Sequence, residues 1–187
     1  MEHWEAAKRV LRYIKVTPGE GLAYSLGEDI SVRGYSDASY GSDDETKRGR
    51  SGFVSMNGGA AVSWGSKLQD VVALNSAEAE YMAICHAMQE GLNMRMLQKE
   101  MGAKTKNGGT LLLVDNQSSI KLAKNPMFHK RSKHIAIRFQ FIREKEESGE
   151  FNLEFVRTLA MATDQLIKPV GVKVLRIGKE SMGMTSS

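Results

Sequence analysis

A stripe of apolar residues opens the chain. In residues 2–15 the apolar side chains recur at helical spacing, with Trp4, Val10 and Ile14 on one face, and the stretch TPGEG then ends the pattern. This spacing predicts an amphipathic helix. We expect the helix to pack on its own domain, with binding to a partner as the alternative.

The next part of the chain has the character of β-structure. Residues 29–36, 52–57 and 60–66 are rich in strand-forming residues, and NGG at 57–59 is typical of a tight hairpin turn. These patterns predict three strands that form an antiparallel meander.

The spacing then changes to a helical period. Ser76 opens a predicted helix that runs to about residue 101, with EAE in its first turns and Gly102 at its end. The run TLLLV at 110–114 is apolar throughout, which is typical of a strand covered on both faces. We therefore expect this strand to lie centrally in the sheet.

The remaining patterns complete an α/β order. NQSSIKLAKN predicts a short helix before Pro126, KHIAIRFQFIREKEESG predicts a longer helix, residues 151–156 alternate as a strand, and 160–168 predict one or two helical turns. A meander followed by helix-linked strands predicts an α/β fold with helices packed on a mixed sheet. The tail from residue 171 becomes small and polar, and we expect its end to fray.

Composition narrows the possibilities only slightly. The 187 residues fit about one domain, and a net charge of +4 is a weak indication of a polyanionic partner. A single cysteine, Cys85, excludes an internal disulfide and a cysteine zinc cluster, which favours a reducing compartment. Because neither a secretion signal nor a membrane span is apparent, we expect an intracellular protein without membrane attachment.

Two carboxylates follow predicted strands. Asp37 stands at the expected end of the first strand, and Asp115 directly follows the run LLLV. If these strands are parallel neighbours, both acids emerge at the edge where open α/β sheets bind ligands. Mg²⁺ prefers such hard oxygen ligands, so a metal site at this edge is a hypothesis.

Two further carboxylates could join them. At helical spacing Glu80 shares a small, apolar face with Ala83 and Ala87, where a carboxylate is costly without a cation, whereas Glu78 lies at the margin. Asp164 lies in the last helical segment and could reach the same edge. Taken singly, Asp115 could cap a helix and Asp164 could be a solvated surface acid. The loop DDETKRGR is interpreted as a solvated connection, with nucleic-acid contact as the alternative.

Several ordered motifs carry a resemblance to a known family. YSDAS, SGFV, GGAAVSWGSKLQ, ALNSAEAEYMAI, LLVDNQSSIKLAKNPMFHKRSKHIAIRFQFIRE and TDQLIKP together resemble the ribonuclease H domain of copia-type retrotransposon Pol polyproteins. The resemblance implies a ribonuclease H-like fold with a mixed five-stranded sheet, covering residues 29–170. Residues 1–28 resemble the connection to the reverse transcriptase, and 171–187 remain as a C-terminal tail.

The resemblance also implies an activity, which is hydrolysis of the RNA strand of an RNA:DNA hybrid with two Mg²⁺ or Mn²⁺ ions. Asp37, Glu80, Asp115 and Asp164 fall on the four acidic positions of the family, as catalytic and metal-binding residues. The implied partners are the hybrid and the reverse transcriptase of the parent polyprotein, with no small-molecule cofactor. The alternative is a catalytically silent scaffold or nucleic-acid-binding remnant.

The resemblance points less directly to residues that bind the substrate. The weaker substrate-binding candidates are Ser76, Asn116, Gln117 and Arg50. The possible phosphate contacts are Lys47, Arg48, Arg50, Lys130, Arg131 and Lys133. For His129 and His134 a structural or substrate-positioning role is preferred over catalysis, and Trp64 is interpreted as a packing residue.

Overall fold

The computed structural model describes residues 2–25, 30–103, 108–124 and 133–186. The helices are α1 (Glu2–Val16), α2 (Ser76–Glu100), α3 (Gln117–Lys124), α4 (Lys133–Glu147), α5 (Asp164–Ile167) and α6 (Val172–Ser181). The strands are β1 (Glu20–Leu22), β2 (Arg33–Ser39), β3 (Arg50–Asn57), β4 (Ala60–Leu68), β5 (Thr110–Val114), β6 (Phe151–Phe155) and β7 (Met184–Ser186), and a 3₁₀ turn spans Thr158–Ala160.

Five strands form one mixed sheet in the order β4-β3-β2-β5-β6. The meander β2-β3-β4 is antiparallel, and its last turn contains Gly58 and Gly59, both at positive φ. Strands β5 and β6 join it in parallel, and β5 pairs directly with β2. The predicted α/β class with a mixed five-stranded sheet is confirmed. The first strand lies at Arg33–Ser39 and not at 29–36, so Asp37 is inside the strand.

The larger part of the core lies between this sheet and helices α2, α3 and α4. The predicted small face of α2 allows close packing, since a Cβ at Gly91 would lie 2.9 Å from the ring of Phe151. Tyr81 of α2 stacks on Phe139 of α4 with ring centroids 3.9 Å apart. The helix α2 is therefore fixed against the sheet over most of its length.

The opposite face of the sheet is covered by the C-terminal segments. A second cluster of buried residues joins the sheet to α5 and α6, and consists of Val54, Met56, Ala61, Ala162 and Met182. The expectation that the tail frays is wrong. The chain from residue 172 forms α6, and β7 then pairs with β1 in a separate two-stranded ribbon.

Two sequence-based interpretations of apolar residues are also wrong. The stripe of α1 does not pack on the domain, because Trp4, Leu11 and Ile14 remain 64%, 62% and 58% exposed. Trp64 lies on the edge strand β4 and is 52% exposed, so it is not a packing residue. Periodicity shows which residues share a face, but it does not show whether another element covers that face. None of the described helices is both long enough and apolar enough to cross a bilayer.

Candidate metal centre at the sheet edge

The parallel pairing of β2 with β5 brings two carboxylates together. Ser36 is in register with Val114, so Asp37 and Asp115 are the next residues on two adjacent strands that point the same way. Asp37 is buried, and its Oδ1 accepts a hydrogen bond of 2.8 Å from the backbone N–H of Ala38. This arrangement is the one that the strand pattern predicts.

Helix α2 adds a third carboxylate from above the same edge. Asn75 caps the helix by accepting a hydrogen bond from the N–H of Glu78, and Glu80 follows at the start of the second turn. One carboxylate oxygen from each of Asp37, Glu80 and Asp115 lies within 4.8 Å of the others. Three oxygens at this separation can bind one divalent cation.

The predicted difference between Glu80 and Glu78 is only partly correct, because both glutamates are buried. The Oε2 atom of Glu78 accepts a hydrogen bond of 3.1 Å from the N–H of Leu74, ahead of the helix. Within the described residues, the Oε2 of Glu80 has no hydrogen-bond partner. Glu78 therefore has a structural role at the helix start, whereas Glu80 faces the other acids.

Asp164 approaches Asp37 from the opposite face of the sheet. It is the first residue of α5, is 5% exposed, and its carboxylate contacts the same Lys168 ammonium group as that of Asp37. Helix α5 can come this close because Gly52, the β3 partner of Asp37, has no side chain. A Cβ at Gly52 would lie only 2.5 Å from Cγ2 of Ile167. The solvated-surface interpretation of Asp164 is therefore wrong.

The crowding of these acids changes their acid–base properties. Burial and the neighbouring carboxyl groups of Asp164 and Asp115 raise the pKa of Asp37 to about 7. Burial and the charges of Asp37 and Asp115 raise the pKa of Glu80 to about 10. The Oδ2 of Asp37 is also buried and, among the described residues, accepts no hydrogen bond. Unfavourable charge and unpaired buried oxygens together fit a site for divalent cations.

Two residues at this site were not predicted from the sequence. The Nζ of Lys168 lies 2.6 Å from Oδ1 of Asp164 and 3.8 Å from Oδ2 of Asp37. Thr158 donates a hydrogen bond of 3.0 Å from Oγ1 to Oδ2 of Asp115. The four-residue spacing from Asp164 to Lys168 in TDQLIKP is a signal for the first contact. The second joins residues 43 positions apart, and no local pattern indicates it.

The weaker substrate-binding candidates lie at the ends of elements that carry or adjoin the carboxylates. Ser76 is exposed at the N-terminus of α2, one turn before Glu80, and Gln117 is exposed at the start of α3. Asn116 caps α3, since its Oδ1 accepts hydrogen bonds from two backbone N–H groups, those of Ser118 and Ser119. The helix-cap interpretation of Asp115 is therefore wrong, and Asp115 is left to face the other acids. Arg50 pairs with Ser39 at the same end of β2.

The loop between β2 and β3 has a defined conformation. Asp43 Oδ1 accepts hydrogen bonds from the N–H and Oγ1 of Thr46, and Lys47 adopts a positive φ of 55°. The Nε of Arg48 donates to Thr46 Oγ1. These contacts hold an exposed basic turn close to the edge that carries Asp37. His129, Lys130 and Arg131 lie outside the described residues, as do the side chains of Lys133 and His134.

Comparison with known sequences relates the chain to retrotransposon polyproteins. No family model matches the chain. It is 36% identical over 186 residues to the retrovirus-related Pol polyprotein from transposon TNT 1-94 of Nicotiana tabacum. It is 35% identical over 169 residues to that from transposon RE2 of Arabidopsis thaliana. These alignments cover 100% and 90% of the chain but only 14% and 12% of the relatives, so the chain corresponds to a small part of them.

Comparison with solved structures relates the fold to ribonucleases H. RNase H1 from the halophilic archaeon Halobacterium salinarum aligns with a TM-score of 0.52 at 17% identity, over 73% of this chain and 93% of that one. The foamy viral protease-reverse transcriptase in complex with RNA/DNA hybrid aligns with a TM-score of 0.54 at 12% identity, over 79% of this chain and 22% of that one. The fold is thus that of a ribonuclease H. Together with the sequence relatives, it supports a ribonuclease H domain of a retrotransposon Pol polyprotein.

Proposed function

We propose that this domain is an endonuclease that hydrolyses the RNA strand of RNA:DNA hybrids with two divalent metal ions. The observation that carries the proposal is that one carboxylate oxygen from each of Asp37, Glu80 and Asp115 lies within 4.8 Å of the others, while Asp164 shares the Lys168 ammonium group with Asp37. The fold alone is compatible with a protein that has lost its activity. Four acids from four separate elements at one edge of the sheet support an active site.

Each carboxylate has a proposed role that follows from its place. Asp37, Glu80 and Asp115 would hold one divalent ion, and Asp37 and Asp164 would hold the other. When bound, Mg²⁺ or Mn²⁺ ions supply an activated water and stabilise the leaving oxygen of a phosphodiester. Thr158 fixes the orientation of the Asp115 carboxylate through its hydrogen bond.

The proposed substrate is bound mainly through its backbone. Ser76, Gln117 and the amide of Asn116 lie on the rim where polar groups can contact sugar hydroxyls, which distinguish RNA from DNA. Arg50 and the basic turn with the exposed Lys47 and the half-buried Arg48 supply positive charge for phosphates. Such contacts carry little sequence information, so we expect low sequence specificity.

The polyprotein context supplies the remaining proposals. We propose the reverse transcriptase of the parent polyprotein as the partner, with residues 1–28 as the connection to it, 29–170 as the nuclease domain and 171–187 as its tail. The foamy viral protease-reverse transcriptase in complex with RNA/DNA hybrid, to which this fold is similar, supports this pairing. An intracellular location accords with this role.

Cleavage of a labelled hybrid tests the proposal. With Mg²⁺, the protein is expected to cut the RNA strand into fragments with 3′-hydroxyl and 5′-phosphate ends, and to leave the DNA strand and a DNA duplex intact. Asp115→Asn should abolish cleavage. Asp70→Asn is the matched control, because Asp70 is an aspartate whose side chain is 65% exposed outside the site, and it should cleave as the unmodified protein does.

Binding of the hybrid without cleavage, in Mg²⁺ and in Mn²⁺, would contradict the proposal and favour the scaffold alternative. Equal cleavage by Asp115→Asn would assign the activity to another site or to a contaminant. Melting curves of both variants would distinguish a lost function from a lost fold.

A further inference from the structure

Lys168 is tied to the candidate metal centre by both its backbone and its side chain. Its N–H donates to the carbonyl oxygen of Asp164 at the end of α5, and its Nζ contacts the carboxylates of Asp164 and Asp37. The ammonium group thus contacts both Asp37, which lies in strand β2, and Asp164, which approaches that strand from α5.

This ion pair differs from the surface pairs of the molecule. The side chains of Asp37 and Asp164 are 4% and 7% exposed, whereas the Lys168 side chain is 42% exposed. By contrast, the exposed pair of Lys67 and Asp70 is 65% exposed on both sides. The two buried carboxylates have little access to water, so hydration does not stabilise their negative charge. The ammonium group of Lys168, which reaches them from the solvent side, compensates that charge instead.

The ammonium group of Lys168 occupies the position that the second divalent ion of the proposed mechanism requires. A second divalent ion shared by Asp37 and Asp164 must contact carboxylate oxygens at about 2.1 Å. The Lys168 Nζ already lies 2.6 Å from Oδ1 of Asp164, so an ion on the same oxygen would meet a positive charge at contact distance. Among the ion pairs of the described residues, Lys168 pairs with Asp37 and Asp164, and none involves Glu80 or Asp115.

We infer that Lys168 is an internal counter-ion that occupies the Asp37–Asp164 half of the site in the metal-free protein and must leave it before a second divalent ion binds. The inference rests on the proposed two-ion function. The side chain can leave because it is flexible and partly exposed. The two halves of the site should therefore fill in sequence, with the first ion at Asp37, Glu80 and Asp115, and the second binding more weakly.

Manganese binding without nucleic acid tests this inference separately from catalysis. The signal of free Mn²⁺ in electron paramagnetic resonance gives the number of bound ions and their dissociation constants. In Lys168→Met, removal of a charge a few ångströms from the second ion should tighten its binding by about tenfold. Lys168→Arg keeps the charge, so the second ion should bind as weakly as in the unmodified protein.

Two controls make the result specific to this lysine. Lys124→Met removes a lysine of similar exposure, 49%, that pairs with Glu146 at 3.1 Å outside the site, and it should leave both dissociation constants unchanged. Asp164→Asn combined with Lys168→Met removes both charges of the pair, so it should fold and bind only the first ion. If Lys168→Met alone unfolds, Lys168→Gln takes its place, because it also removes the charge but keeps a polar side chain beside Asp164.

The outcomes separate the inference from the proposed function. If the unmodified protein binds Mn²⁺ and Lys168→Met leaves the second dissociation constant unchanged, the counter-ion inference is overturned while the metal site stands. If Lys168→Arg tightens the second ion as much as Lys168→Met does, the lysine charge is not the cause, and the inference is again overturned. If no variant binds Mn²⁺, the proposed function fails together with the inference.

Discussion

The buried carboxyl of Glu80 gives a prediction about stability in the absence of metal. Its pKa is raised from 4.5 to about 10 by burial and by the charges of Asp37 and Asp115. A group whose folded pKa is above its unfolded value contributes full stability below the unfolded pKa, and this contribution is lost as pH rises toward the folded value. The metal-free protein should therefore lose stability between about pH 4.5 and pH 10.

The magnitude at neutral pH follows from the same values. At pH 7 folding must bind a proton that the unfolded chain does not hold, which lowers the free energy of unfolding by about 3 kcal/mol relative to pH 4.5. Glu80→Gln is neutral at every pH and has nearly the shape of the protonated acid. We expect it to stabilise the metal-free protein at pH 7 by about 2 kcal/mol, which corresponds to roughly 5 °C in melting temperature for a chain of this size.

Thermal and urea unfolding in EDTA at pH 4.5 and pH 7 provide the measurement. The gain should be present at pH 7 and close to zero at pH 4.5, and added Mg²⁺ should reduce it because the ion stabilises the unmodified protein more. Glu78→Gln is the matched control in the same helix. Glu78 accepts a hydrogen bond from Leu74 and lies in the first turn, where negative charge is favourable, so its change should destabilise.

Two results would refute this reasoning. One is that Glu80→Gln is no more stable than the unmodified protein in EDTA at pH 7. The other is that its gain is the same at both pH values, because an effect of packing alone would not depend on pH.

Three further predictions concern the same site. Thr158→Val removes the hydrogen bond that orients the Asp115 carboxylate, so Mg²⁺ binding measured by calorimetry should weaken about tenfold with little change in melting temperature. An unchanged affinity would exclude this orienting role of Thr158. Gly52→Ala should lower the free energy of unfolding by about 2 kcal/mol and weaken Mg²⁺ binding, because its Cβ displaces Ile167 and with it α5; a variant of normal stability would contradict the close approach. Burial and neighbouring acids raise the pKa of Asp37 to about 7, so its carboxyl group must lose a proton to bind a cation. The affinity for Mg²⁺ should therefore rise more steeply with pH below 7 than above it. An affinity that does not depend on pH would argue against Asp37 as a ligand.

The parts of the site that could be predicted depend on strong local patterns. The continuous apolar run at 110–114 indicated a central strand, and this placed Asp115 beside Asp37 once the parallel pairing was assumed. The small residues of α2 indicated its packing face and hence the unusual place of Glu80. Both inferences use the spacing of apolar and small residues, which can be read from a single sequence without knowledge of contacts between distant segments.

The parts that could not be predicted depend on contacts between distant segments. Thr158 reaches Asp115 across 43 residues, and the approach of α5 to the sheet depends on Gly52, far away in the chain. Strands β1 and β7 are only three residues long each, so neither has enough residues to show a period. The exposure of Trp64 and of the apolar stripe of α1 was also not predictable. A sequence pattern shows which residues share a face, but not whether another element packs against that face.

The ribbon of β1 and β7 has a consequence for dissecting this molecule. It joins the segment after α1, Glu20–Leu22, to Met184–Ser186, and Ala61 of the sheet donates a backbone hydrogen bond to the carbonyl oxygen of Met182 just before the ribbon. A fragment trimmed to residues 29–170 would lose Leu22 and Met182, which shield the apolar side chains of Val54 and Met56. Such a fragment should aggregate in solution although it retains every acid of the site. A loss of activity on trimming would therefore reflect low solubility and not a missing catalytic group.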